Sequence, residues 1–175
     1  MTGGRLSAVE VARAAGLAHA PTPEQTAVIE APLRPMLVVA GAGSGKTETM
    51  AARVVWLVAN GLVAPDQVLG LTFTRKAAAE LAERIEVRLR RLQAAGLWAP
   101  APDEEGAEVL GGTPTVATYH SYAGRLVREH ALRLGYEPDS RLLSEAAAWQ
   151  YAAEAVSRYD GDMSEMGYAE STAIG

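Results

Sequence analysis

The run Ala40-Gly41-Ala42-Gly43-Ser44-Gly45-Lys46-Thr47 has residue types and spacing suited to holding phosphate. Glycines let the backbone turn its N–H groups toward a β-phosphate, the lysine that follows them reaches the β- and γ-phosphates, and the threonine hydroxyl is a ligand for Mg²⁺. The chemistry implied is binding of a nucleoside triphosphate. Ala40 stands where the pattern G-x-x-x-x-G-K-[ST] has its first glycine, a mild departure because alanine fits the turn at negative φ. A glycine-rich turn that merely precedes a helix would explain the glycines but not the Lys-Thr pair. Lys46 and Lys76 are the only lysines beside fourteen arginines, and each falls inside a motif. A compact ammonium suits a backbone cradle that a guanidinium fork would crowd.

Two further junctions carry hydrogen-bonding and stacking groups. Thr72-Phe73-Thr74-Arg75-Lys76 follows an apolar run, and Thr118-Tyr119-His120-Ser121 follows another. Hydroxyls and cations hold phosphates, while an aromatic face stacks on a base; the alternative is that Phe73 belongs to the core of a buried strand. Gln25 also has two readings. Its amide can pair with the donor–acceptor edge of adenine and select ATP, or it closes a capping box, Thr22-x-x-Gln25, at a helix start.

These residues need elements to position them. Helices are expected over Ser7 to Leu17, from the Thr22 cap and Pro23 to about Glu30, over Glu48 to Ala59, and from Arg75 to about Gln93. Two more are expected over Ser121 to Leu134, ended near Gly135, and from the Ser144 cap to about Arg158. Strands are expected at Met36 to Val39, at Val68 to Phe73 after a Pro65-Asp66 turn, and at Thr115 to Thr118. That order is β-α-β-α, an α/β fold with a parallel sheet flanked by helices and ligands at the carboxyl ends of the strands. Residues 94–114, rich in Gly, Pro and acidic side chains, read as an exposed insertion. No internal repeat is present, and Gly161 to Gly175 stops without a capped end.

Composition narrows the class. The chain has 175 residues, 49% hydrophobic and without a long apolar run, so no membrane span is expected. Ala18-His19-Ala20 has the look of a signal cleavage site, but Glu10 and Arg13 interrupt the apolar core a signal would need, so the expected location is cytoplasmic. No cysteine is present, which excludes disulfides, thiolate metal sites and cysteine nucleophiles. His19, His120 and His130 lack metal-ligand spacing. Net charge is −5, against coating nucleic acid by bulk electrostatics, yet Thr72 to Arg91 holds Arg75, Lys76, Arg84, Arg88, Arg90 and Arg91 against three glutamates. That is either a nucleic-acid groove or a solvated helix laced with pairs such as Glu80 and Arg84.

Taken in order, these segments resemble the Q motif, Walker A, motif Ia and the Thr-aromatic-His-Ser motif of the UvrD, PcrA and Rep group of superfamily 1A DNA helicases. The similarity covers about Leu17 to Leu134, and Thr-Arg-Lys with Gly-Lys-Thr-Glu-Thr is closer in wording to actinobacterial UvrD-like and AdnB-type motors. The resemblance implies a P-loop, RecA-like domain, cofactors ATP and Mg²⁺, and single-stranded and duplex DNA as partners. It implies that Gln25 and Ala40, Gly41, Ala42, Gly43, Ser44, Gly45, Lys46, Thr47 and Glu48 bind nucleotide. Of these, Lys46 and Thr47 handle phosphates and Thr47 the metal. Thr72, Phe73, Thr74, Arg75, His120 and Ser121 would line the DNA path. Glu48 departs from the group, whose members often carry there an arginine that stacks on the base, and Arg53 is no obvious replacement.

A motor of this kind needs an acidic pair after a strand and arginines from a second domain. Asp103-Glu104 follows Ala-Pro-Ala-Pro, and Asp160 and Asp162 follow Ser157-Arg158-Tyr159, none of them a strand. The expectation is the N-terminal part of a larger ATP-dependent 3′-to-5′ helicase of repair or recombination, joined to its remaining motor domains and poorly active in hydrolysis by itself. Its residues 1–118 would belong to the first RecA-like domain and 119–175 to the start of a helical subdomain. A stand-alone nucleotide-dependent regulatory module is the alternative, and a small P-loop kinase a weaker one, lacking an acceptor-site acid and an arginine-rich lid.

Overall fold

The computed structural model describes residues 5–99, 112–140 and 143–161. Most of the expected insertion, with Asp103 and Glu104, lies outside these residues, as do Asp162 and the end of the chain. The elements are α1 (Ala8–Ala14), α2 (Pro23–Ile29), α3 (Lys46–Ala59), β1 (Leu69–Thr72), α4 (Arg75–Ala94), β2 (Thr115–Thr118), α5 (Tyr119–His130) and α6 (Glu145–Ser157). Short 3₁₀ turns occur at Pro65–Gln67 and Ala131–Leu134. The chain divides into two compact units, Met1–Gly124 and Arg125–Gly175.

In the first unit, β1 and β2 pair in parallel, Leu69 opposite Thr115 and Thr72 opposite Thr118. Parallel neighbours need a long crossover, and α4 lies within it. Ala78, Leu81, Ile85, Leu89 and Leu92 recur every three or four residues on α4 and are all buried, so one face of the helix is apolar along its length. It packs against α3, whose Ala51, Val55, Trp56 and Val58 are buried in the same core together with Val11 of α1 and Ile29 of α2.

Polar side chains fasten the pieces that flank this core. Trp56 Nε1 donates to the Leu6 carbonyl at 2.7 Å, and Asn60 brackets the same residue, accepting from Leu6 N at 2.8 Å and donating to its carbonyl at 3.2 Å. Glu30 Oε1 accepts from Ala8 N at 2.6 Å, while Arg91 Nη1 donates to the Ala15 carbonyl at 3.0 Å and the Gly16 carbonyl at 3.3 Å. Helix α1 is therefore held at its positive end by a carboxylate and at its negative end by a guanidinium, the arrangement its dipole favours. Arg53 Nη1 gathers the carbonyls of Val28, Ile29 and Ala31 at 2.7–3.1 Å, and burial pushes its pKa below the usual arginine value. It braces the end of α2.

One expected strand is corrected. Met36 to Val39 forms no ladder among the described residues; the sheet there contains β1 and β2 alone. Leu37 and Val39 are 88% and 86% exposed, whereas Met36 and Val38 are about half as exposed. The alternation is that of an extended segment with one face turned toward the body. β-branched and apolar residues fit a sheet, but the strand itself consists of hydrogen bonds to a neighbour. The expected sheet is thus present as two strands.

In the second unit, Ser144 caps α6, its hydroxyl accepting from Ala147 N at 3.3 Å. Gly135, in the left-handed region at φ +75°, ends the turn Ala131–Leu134, as expected of glycine at such a stop.

Candidate functional site

The phosphate-type loop runs directly into α3. Gly43 and Gly45 have φ of +76° and +79°, in the region that L side chains rarely adopt. Gly45 is the N-cap of α3 and offers no side-chain cap, so the first N–H groups of a 14-residue helix face outward at its positive end. A Cβ on Gly43 would meet nothing within 4 Å, so the loop is open to a ligand there, whereas one on Gly45 would lie 2.9 Å from Gln25 Nε2. Lys46 Nζ donates to the carbonyls of Ala40 at 3.0 Å and Gly41 at 2.5 Å, which holds the ammonium across the loop. Ser44 Oγ donates to the Gly41 carbonyl at 2.9 Å and tightens the turn. Thr47 is exposed in the first turn of α3.

Gln25 forms the capping box: its backbone N donates to Thr22 Oγ1 at 3.3 Å and its Oε1 accepts from Thr22 N at 3.0 Å. Its Nε2 also donates to the Ser44 carbonyl at 3.3 Å. One side chain therefore starts α2 and braces the phosphate loop, leaving a second amide hydrogen. Glu48 Oε1 lies 2.6 Å from Arg88 Nη2, and Glu48 Oε2 lies 3.5 Å from Arg84 Nη1.

The carboxyl ends of β1 and β2 present a second surface. Phe73 is 89% exposed and Tyr119 49% exposed, their rings 5.3 Å apart and inclined at 37°. The reading of Phe73 as a core residue is overturned: β1 ends at Thr72, and the next side chain is released into solvent where the chain turns into α4. The hydroxyls of the two junctions are engaged locally. Thr72 Oγ1 donates to the Thr74 carbonyl at 3.0 Å, Thr74 Oγ1 accepts from Ala77 N at 3.1 Å, and Thr118 Oγ1 accepts from Ser121 N at 3.1 Å and pairs with Ser121 Oγ at 2.8 Å. The groups left facing outward are Phe73, Tyr119, Arg75 and His120, with Lys76 at 4.0 Å from Glu80.

The basic residues of α4 thus divide by function. Arg84 and Arg88 hold Glu48, Arg91 holds α1, and Arg90 pairs with Glu86. The anticipated Glu80–Arg84 pair is replaced by these contacts, and only the first turn keeps its cations for a ligand. The sequence already set Tyr119 at the second strand end and Arg84 and Arg88 in the basic segment; what it did not show is the pairing of the two arginines with Glu48. Tyr119 stands one residue past a strand-ending threonine, as Phe73 does, and that repeat was its signal; the arginine contacts depend on packing of α4 on α3 and leave no local trace. Among the described residues no three His, Cys, Asp or Glu side chains gather as a metal site, and no helix is long and apolar enough to cross a membrane.

A glycine-opened helix start after an extended segment, beside a parallel pair with a helical crossover, fits a P-loop NTPase. Comparison with known proteins gives the family. The family model described as UvrD/REP helicase N-terminal domain matches residues 21–171, and the chain belongs to that family. It is 36% identical over 118 residues to DNA helicase II of Haemophilus influenzae, covering 66% of this chain and 14% of that protein. It is 33% identical over 120 residues to DNA helicase II of Escherichia coli, covering 69% and 14%. ATP-dependent DNA helicase PcrA of Staphylococcus aureus is 35% identical over 114 residues, covering 65% and 13%. The chain therefore spans 13–14% of the length of these relatives.

Proposed function

We propose that this chain is the ATP-binding and single-stranded-DNA-contacting N-terminal portion of an ATP-dependent 3′-to-5′ DNA helicase of repair or recombination, acting in the cytoplasm with the remaining motor domains of the same polypeptide. The observation that carries the reading is the start of α3, where glycine in place of a capping side chain leaves helix N–H groups open beside Lys46. Residues 1–118 act as part of a first RecA-like domain, and 119–175 begin a helical subdomain.

The residues present fit Mg²⁺·ATP. Gly43, Ser44 and Gly45 turn the backbone so that N–H groups meet the β-phosphate, and Lys46 moves its ammonium from loop carbonyls to β- and γ-phosphate oxygens, a stronger, charge-assisted bond. Thr47 supplies a hydroxyl ligand for Mg²⁺, which when bound neutralises charge spread over the β- and γ-phosphates. Gln25 ties the loop to α2 and turns its remaining amide hydrogen toward the base. DNA is held at the strand ends, with Phe73 stacking on a base and Arg75 and His120 meeting phosphates; Thr72, Thr74 and Ser121 shape that surface. The homologues' names, DNA helicase II and ATP-dependent DNA helicase PcrA, support the substrate pair.

The test is strand separation by the natural full-length polypeptide on duplexes carrying a 3′ or a 5′ single-stranded tail. The expected result is ATP-dependent unwinding from the 3′ tail that is lost in Lys46→Ala. Unwinding that persists in Lys46→Ala, or that needs no ATP, would contradict the proposal.

A further inference from the structure

Glu48 is the third residue of α3, which starts under the Gly45 cap. At that position a glutamate or glutamine commonly reaches back and accepts the N–H of the cap residue. The chain follows this pattern at three other helical starts: Ser7 N donates to Glu10 Oε2 at 2.7 Å, Thr22 N to Gln25 Oε1 at 3.0 Å and Ala64 N to Gln67 Oε1 at 2.9 Å. Among the described residues Glu48 is the exception. Its carboxylate points instead to α4, with Oε1 2.6 Å from Arg88 Nη2 and Oε2 3.5 Å from Arg84 Nη1.

A carboxylate folded back at α3 would accept from Gly45, whose N–H the proposed function gives to phosphate, and would set a negative charge beside the triphosphate. The helix dipole favours that position, since the first turn attracts any anion. Two cations hold the side chain elsewhere. Arg84 and Arg88 are four residues apart and so share one face of α4. The Arg88 side chain is 11% exposed, which leaves its attraction little screened by salt. We infer that Arg84 and Arg88 are positioning residues for nucleotide binding: they keep the Glu48 carboxylate on α4, and so keep the anion site at the start of α3 from closing on the chain's own side chain. Glu48 then competes with the nucleotide rather than contacting it.

The side chain thus has two arrangements. With both arginines in place the loop stays open; without them Glu48 completes at α3 the box that Glu10 completes at α1. A ligand must then displace a carboxylate, and its apparent affinity falls in proportion to the fraction of chains whose loop is open. The base takes no part in this competition, so ATP and inorganic tripolyphosphate are affected alike.

The inference rests on the phosphate-loop reading, and its test keeps the two apart. Affinities of the 175-residue chain for ATP and tripolyphosphate, each with Mg²⁺, are compared with those of Arg84→Gln/Arg88→Gln and of the same variant carrying Glu48→Ala. Thermal melts and the Gly45 amide resonance of each ligand-free protein are recorded alongside. Removing the arginines is expected to weaken both ligands by about tenfold, the contribution of one hydrogen bond to a charged group, and to move the Gly45 amide. Adding Glu48→Ala should bring affinity back to within about threefold of the parent chain and return the amide toward its original position. Arg84→Gln alone, at a half-exposed position, should lose about two- to threefold and guards against a double variant that does not fold. Unchanged affinity in either arginine variant would overturn the inference. So would a loss that Glu48→Ala leaves in place, the result expected of arginines that serve packing alone or touch the ligand. A chain that binds neither ATP nor tripolyphosphate would overturn the phosphate-loop reading and this inference with it.

Discussion

Helix α3 and the other α-helices begin in opposite ways. Among the described residues, five of the six start under a hydroxyl: Ser7, Thr22, Thr74, Thr118 and Ser144 each accept from a backbone N–H in the first turn. At α3 the corresponding place belongs to Gly45, in the left-handed region and with no side chain to offer. A glycine N-cap costs a helix only about a few tenths of a kcal/mol relative to a hydroxyl cap, so its use at one helix start is a small local sacrifice of stability. What it leaves is a set of N–H groups without a side-chain cap and a lysine beside them, a combination whose partial and full positive charges favour an anion. The hydroxyl-capped starts of α4 and α5 satisfy themselves and offer outward what lies next to the cap, the exposed Phe73–Tyr119 pair and the cations Arg75 and Lys76. In the proposed function the first of these junctions takes phosphate, and those of α4 and α5 take a flatter, extended partner.

Closing the open start would break this contrast. Gly45→Ser places a capping oxygen where phosphate should sit, forces a side chain into a φ of +79°, and brings its Cβ within 2.9 Å of Gln25 Nε2. The expected loss of ATP affinity is about 10- to 100-fold, the value of one or two charge-assisted hydrogen bonds, read by calorimetric titration. Lys46→Ala should weaken Mg²⁺·ATP by a similar factor while leaving the melting temperature close to that of the parent chain, since Lys46 touches only exposed loop carbonyls. At the other surface, Phe73→Ala should weaken a short single-stranded oligonucleotide by about 1–3 kcal/mol, the contribution of one stacked base, without changing ATP affinity. Fluorescence anisotropy with a labelled oligonucleotide measures it.

The smallest effect sharpens the capped side. Ser7→Ala removes the box at α1 and should cost about 1 kcal/mol of stability with ATP affinity unmoved. The same box has a pH signature. Hydrogen bonds from Ser7 N and Ser7 Oγ, both 2.7 Å, hold Glu10 below its ordinary carboxylate value. A carboxylate depressed in the folded state contributes above its unfolded pKa and loses that contribution as pH falls through the folded value. Protection of the α1 amides against hydrogen exchange should therefore hold at neutral pH and decline as pH drops below the usual carboxylate range.

Most helix boundaries were legible because caps and stops are local: Ser7, Thr22 and Ser144 begin helices where their hydrogen bonds begin, and Gly135 ends a turn where a left-handed residue is needed. Strand Thr115–Thr118 was equally plain. Met36 to Val39 was not, because its composition records an affinity for a sheet while the ladder depends on residues distant in the sequence. The glycine turn that opens α3 was legible, being a continuous string. The contacts of Glu48 were illegible, since Arg84 and Arg88 lie 36 and 40 residues away and meet it only when α4 packs on α3. Gln25 shows a third case: its two readings were capping and ligand contact, and the geometry makes the cap while joining it to the loop.

The most direct test of the central claim, that the uncapped start of α3 is the phosphate site, is backbone amide NMR of the chain titrated with Mg²⁺·ATP. The account predicts large shifts for Gly43, Ser44, Gly45, Lys46 and Thr47, with the capped amides of Glu10, Ala77 and Ala147 nearly still. Shifts centred on the capped helix starts, or a loop that does not respond at saturating ATP, would contradict it.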